Sequence, residues 1–246
     1  MITLYVFAIS HYCEKARWAL DYTGVAYTLA HLPPGAHAQW AEEHGLAGSS
    51  LPILHAHDKY IQGSSAIVDW ADEHSTNGKS LTPPDSAEAL AIEARCDEIM
   101  GVHTRRMFYS EALVEHPETV KPIFLKDLSS TERESMDTIW PIVREAMIQR
   151  MDLGKTQGEE SRQLLEKELD WLDALYADGR RFLCSDRFSR ADLTVASLLS
   201  RTSGAPEHPA AKFMTLPPGM SAIAEQWQPR PTIQRARENY REFRFI

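Results

Sequence analysis

Polar and apolar residues alternate over residues 2–7, with Ile2, Leu4 and Val6 on one side and Thr3, Tyr5 and Phe7 on the other. This is the period of a β-strand, and the apolar content of both sides predicts cover on both faces. From residue 12 the period lengthens. Tyr12, Ala16, Ala19 and Leu20 recur at helical spacing, and Gly24 supplies a stop. Val25 to Leu29 reads as a second strand. A stretch containing Pro and Gly follows, then a short helix over Ala38 to His44. "LPILHAHDKYIQG" predicts a hairpin, Leu51–Leu54 pairing with Lys59–Gln62 around His57-Asp58. "SSAIVDWADEH" opens with serine and carries Ile67, Trp70 and Ala71 at helical spacing. Helices joining strands imply parallel neighbours in part of the sheet, and the hairpin adds an antiparallel pair.

The pattern changes at "HSTNGKSLTPPDS", residues 74–86, whose Gly, Pro, Ser and Thr mark a linker. Beyond it the β-branched runs end. Helical periodicity covers roughly residues 86–115, 130–152, 159–178 and 189–203, with shorter stretches near 221–227 and 232–243. Ser189-x-x-Asp192, ahead of an apolar run, resembles a capping box. The chain therefore divides into a small α/β domain, residues 1–78, and a larger all-helical domain, residues 86–246. There is no internal repeat.

Composition narrows the function more than the fold. With 246 residues, 43% hydrophobic and 25% charged, the chain can bury a sizeable core without staples. A formal charge of −9 excludes broad attraction to nucleic acid or anionic lipid. Arg230, Arg235, Arg237, Arg241 and Arg244 are the local exception, and interleaved Glu238 and Glu242 make them read as a solvated face. No stretch approaches the ~20 apolar residues of a membrane span. "MITLYVFAIS" lacks the basic residues of a secretory leader. Cys13, Cys96 and Cys184 are scattered and odd in number, which fits a reducing, cytoplasmic setting. His55 and His57 flank a predicted turn without thiol or carboxylate partners in register, so no metal site is expected.

The stretch that carries chemistry is "ISHYCEKARWALD", where the first strand hands over to the first helix. Ser10 is placed either to cap that helix or to present a hydroxyl above its first turn. Cys13, one turn further in, is either a packed thiol or a reactive one aided by the helix dipole and by Lys15 or Arg17.

Four segments together resemble the cytosolic glutathione transferases: "SHYCEKARWAL", "SSLPIL", "GSSAIVDW" and "FSRADLTVASLL". Their order and the domain change between them carry the resemblance. It implies a thioredoxin-like N-terminal domain followed by an all-helical C-terminal domain, glutathione as co-substrate, and a homodimer. By resemblance to the serine-type members, Ser10 activates the thiol. His11, Cys13, His37, Leu51, Pro52, Ser64 and Ser65 fall at glutathione-binding positions, with the Leu51–Pro52 bond cis and His37 near the glycine end. A small hydrophobic electrophile would meet the first long helix of the second domain, where "GVHTRRMFY" offers His103, Arg106, Met107 and Tyr109. One departure stands out: Gly63 replaces the acidic or amide residue the family places before Ser64. Three functions remain open on this reading: a conjugating transferase, a thiol oxidoreductase working through Cys13, and a glutathione-binding protein without turnover.

Overall fold

The computed structural model describes residues 1–184 and 186–244, so the last two residues of the predicted helical domain lie outside it. The first strand, β1 (Thr3–Val6), is one of the sheet's two inner strands. Leu4 and Val6 point to one face and are fully buried. The helix α1 (His11–Tyr22) lies over that face, ending at Thr23 with Gly24 in the left-handed region at φ 76°. The remaining elements of the sheet domain are β2 (Thr28–His31), α2 (Ala36–Glu43), β3 (Ile53–Ala56), β4 (Lys59–Gln62) and α3 (Ser64–Glu73).

Strand order is β2-β1-β3-β4. β1 runs parallel to β2 and antiparallel to β3, and β3 pairs with β4 as a hairpin whose turn residues, His57 and Asp58, both have positive φ. Both faces of α1 are covered, since the helical domain packs on the side away from the sheet. That is why even Glu14 and Lys15 are buried.

Two predicted strands are displaced. β2 starts at Thr28 because the Val25 amide closes the end of α1 on the Leu20 carbonyl, 3.0 Å, and Val25 plugs the core instead. β3 starts at Ile53 because Pro52 has no N–H for the ladder. The segment 74–86 is not a free linker. Thr76 and Asn77 bond back to the carbonyls of Gly24 and Tyr22, and Leu81 is fully buried.

The helical half contains α4 (Ala87–Arg95), a π-helical turn (Cys96–Gly101) and α5 (Val102–Ala112), followed by α6 (Pro117–Leu125), α7 (Ser130–Arg150) and α8 (Lys155–Leu175). It closes with α9 (Arg190–Leu198), α10 (Ser200–Ser203), α11 (Pro218–Trp227) and α12 (Pro231–Phe243). The helix α6 carries no pattern read above: Pro117 suits its first position, but Pro122 inside it reads as a breaker.

The C-terminal arginines are not one solvated face. Arg244 is 4% exposed and clamps Glu14 and Asp21, each at 2.7 Å. Arg230 pairs with Asp170 and Asp173 across to α8.

Candidate functional site

The turn between β1 and α1 brings Ser10 to the mouth of the interface between the two halves. Its backbone is extended (φ −79°, ψ 122°), as an N-cap requires, and its Oγ accepts the Cys13 amide at 3.3 Å. That bond uses a lone pair, and the hydroxyl hydrogen is in reach of the Cys13 sulfur, so a ligand sulfur would compete with Cys13 for the same donor while the cap stays in place. Ser10 lines a cavity of about 430 Å³ between the sheet domain and α5, α6, α7 and α10.

Several residues predicted from sequence meet there. His11, His37 and Leu51 line the same cavity as Ser10. His37 stands edge-on to Phe7, 4.8 Å between ring centroids, and its Nδ1 accepts the Gly35 amide at 3.0 Å. The second nitrogen therefore carries the proton and can donate. Burial holds His37 below the usual histidine range, so the ring is neutral near pH 7. The Leu51–Pro52 peptide is cis.

Others are placed elsewhere. Cys13 is 1% exposed in the sheet-domain core, and burial pushes its thiol up to about 11. It does not line the cavity. Ser64 opens α3, and Ser65 donates to Asp97 Oδ2 at 2.7 Å while accepting from Lys15 Nζ at 3.1 Å. Its hydroxyl is thus already engaged in a network beneath α3. Gly63 caps α3 with φ 98°, and no atom lies within 4 Å of where a Cβ would stand.

The second-substrate wall needs correcting by a quarter turn of α5. His103 bonds Ser161 at 3.1 Å, Arg106 bonds the Asp152 carbonyl at 3.0 Å, and Met107 is 4% exposed. These positions, three and four apart, form the stripe that packs on α8. Of the four residues offered by "GVHTRRMFY", Tyr109 does meet the cavity, and Arg105 of the same helix joins it. Tyr109 lies parallel to Phe124 of α6, 6.2 Å apart, and burial pushes its phenol up to about 12, leaving a neutral donor. Ile142, Val143 and Met147 of α7 complete an apolar wall.

Two further residues escaped the sequence reading. Tyr12 lines the cavity and donates to the Asp97 carbonyl at 2.7 Å. Arg201 of α10, 3% exposed, reaches across 190 residues to His11 Nδ1 at 3.0 Å and to the Ile9 carbonyl. The signal that points to it is a single arginine inside the small and apolar run "ASLLSRTSGA". Among the described residues no group of three or more His, Cys, Asp or Glu is placed to hold a metal, and no helix is long and apolar enough to cross a membrane.

Residues 4–79 match the family model of the glutathione S-transferase N-terminal domain, and residues 155–227 that of the C-terminal domain. The chain belongs to the glutathione S-transferase family. Among solved structures it is similar to glutathione transferase GSTFuA3 from Phanerochaete chrysosporium, at 15% identity and TM-score 0.67 over 100% of this chain and 98% of that one. A glutathione S-transferase of Ceriporiopsis subvermispora in complex with glutathione matches at 16% and 0.64, again over 100% and 98%. The β-etherase LigF from Sphingobium sp. strain SYK-6 matches at 17% and 0.60, over 97% and 99%. At these identities the likeness is one of fold. A comparison with curated proteins finds no significant match.

Proposed function

We propose that this chain is a glutathione transferase in which Ser10 activates the thiol for attack on a small hydrophobic electrophile. The sheet domain, residues 1–78, binds glutathione, and the helical domain, residues 86–246, supplies the second-substrate wall. The observation that carries the reading is the shared cavity: the Ser10 hydroxyl on one side, apolar side chains on the other. His37 donates to the glycine carboxylate, the Leu51 backbone pairs with the cysteinyl unit, and the N-terminus of α3 with Ser64 receives the glutamyl carboxylate.

A free cysteine thiol ionises near ~8.5. Lowering that by ~1.5 units asks for about 2 kcal/mol, within the ~1.5–3 kcal/mol of one charge-assisted hydrogen bond. Ser10 donates to the sulfur as the thiol proton leaves to solvent. The thiolate then forms a C–S bond, and the leaving group departs with its bonding pair.

Ser10→Ala is expected to return the bound thiol to its solution pKa and to lower kcat/KM for an activated aryl halide by about tenfold or more. Ser10→Thr keeps the hydroxyl and most of the activity. Loss with Cys13→Ala alone would transfer the assignment to a thiol oxidoreductase, a reading that the burial of Cys13 disfavours. Glutathione binding without turnover in the parent protein would mark a binding protein, the reading to which the missing acid at Gly63 lends weight. The family resemblance, together with three unpaired thiols, supports a cytoplasmic homodimer, which sedimentation tests.

A further inference from the structure

The chain holds 35 acidic and 26 basic residues, yet no Asp or Glu lines the cavity, while Arg105, Arg150 and Arg201 do. Several other arginines pair with carboxylates: Arg95 with Glu168, Arg190 with Glu93 and Asp69, Arg230 with Asp173. Arg201 departs from that habit. It is 3% exposed, its two nitrogens bond neutral acceptors, and its buried Nε has no partner. Arg105 is half-buried, and its buried Nε also lacks an acceptor. Among the described residues neither guanidinium has a carboxylate in ion-pairing range, and each bears on the other as a like charge. Buried charges are ordinarily paired, so two facing one cavity without a counter-ion leave an anion's place open.

The third arginine belongs to a different end. Arg150 is exposed and stands close enough to His37 to oppose its protonation, which suits it to the glycine carboxylate of glutathione. Arg105 and Arg201 instead act on His11 and Tyr109, beyond Ser10.

Resting on the transferase reading, we propose that the electrophile itself is anionic: a flat, apolar molecule whose carboxylate is held by Arg105 and Arg201 and whose body lies against Tyr109 and Phe124. The planar guanidinium matches a carboxylate's two oxygens, and an apolar wall strengthens that contact by keeping water out.

Equilibrium binding of cinnamate and of cinnamamide, to the protein with and without saturating glutathione, tests this. Cinnamate is expected to bind about tenfold or more tightly than the uncharged amide, with glutathione present. Arg105→Gln should abolish the preference and Arg105→Lys retain part of it. Arg106→Gln, the same charge change on the α8 side of the helix, should leave it whole. Equal binding of acid and amide, or a preference that survives Arg105→Gln with thermal stability intact, overturns the proposal. So does displacement of glutathione by cinnamate, which would assign the arginines to the co-substrate's own carboxylates. A protein that prefers cinnamate but never binds glutathione would instead refute the transferase reading and leave the anion site standing.

Discussion

Ser10 accepts the Cys13 amide with one lone pair, so of the two roles posed by the sequence the cap is the one seen, and it does not consume the hydrogen that the proposed donor role needs. The residues legible beforehand, Ser10, His37 and Leu51, sit on local motifs where strand, turn and helix follow each other directly. Arg201 and Arg105 were not legible, because what distinguishes them is the absence of a partner, and partners lie far away in sequence. His208 is a similar case with a measurable consequence. It is 7% exposed and its Nδ1 accepts the Ala210 amide at 3.1 Å. Burial, reinforced by Arg201 and Arg244 against the opposing Glu14, holds it down at about 4. The unfolded chain titrates that ring near ~6.5, so below pH 7 the unfolded state binds the extra proton and stability falls with pH. Between pH 7.5 and pH 5 this one residue should account for about 2 kcal/mol of lost stability. His208→Gln, which keeps an acceptor for the amide, should flatten the pH dependence of the urea midpoint by that amount. An unchanged slope would show that the ring is protonated in the fold.

Helix α5 shows what periodicity can and cannot deliver. Its length and position follow from pattern, but the face that lines the cavity does not, since the α8 and cavity sides both carry arginine and apolar residues. The π-helical turn ahead of it has no sequence signature. It begins at Cys96, and its wider winding accompanies a carbonyl, that of Asp97, that receives the Tyr12 hydroxyl. Gly101 completes the arrangement: a Cβ there would overlap the Tyr12 hydroxyl and ring edge. Gly101→Ala must therefore push Tyr12 away from its place beside Ser10. We expect a loss of about 1–3 kcal/mol, typical of overpacking, and weaker glutathione binding by calorimetry. Adding Tyr12→Leu makes room for the methyl group and should recover part of the stability without restoring the binding. Wild-type binding by Gly101→Ala would mean that Tyr12 does not shape the pocket.

The two halves are held together by charges that the sequence alone presents as ordinary solvated helix residues. Lys15 is fully buried in α1 and bonds Glu93 at 2.7 Å and Asp97 at 2.6 Å, both from the helical domain. Arg190 of α9 joins Glu93 from the other side and reaches back to Asp69 of α3 at 2.6 Å. Arg244 ties the chain's far end to Glu14 and Asp21. Helical spacing shows that Glu14 and Lys15 are neighbours but not that both faces of α1 are covered, which is why domain division was legible and domain docking was not. A buried ion left without its partner is costly, whereas removing both members can be nearly neutral. Lys15→Met should thus destabilise the protein by about 3 kcal/mol, and Asp97→Asn by a comparable amount. The double variant should lose at least about 1 kcal/mol less than the sum of the two, the coupling expected of residues in one network. Urea denaturation of the three variants measures this directly. Strict additivity would show that Lys15 and Asp97 are each stabilised independently, and that the contact between them contributes nothing to keeping the cavity's two walls in register.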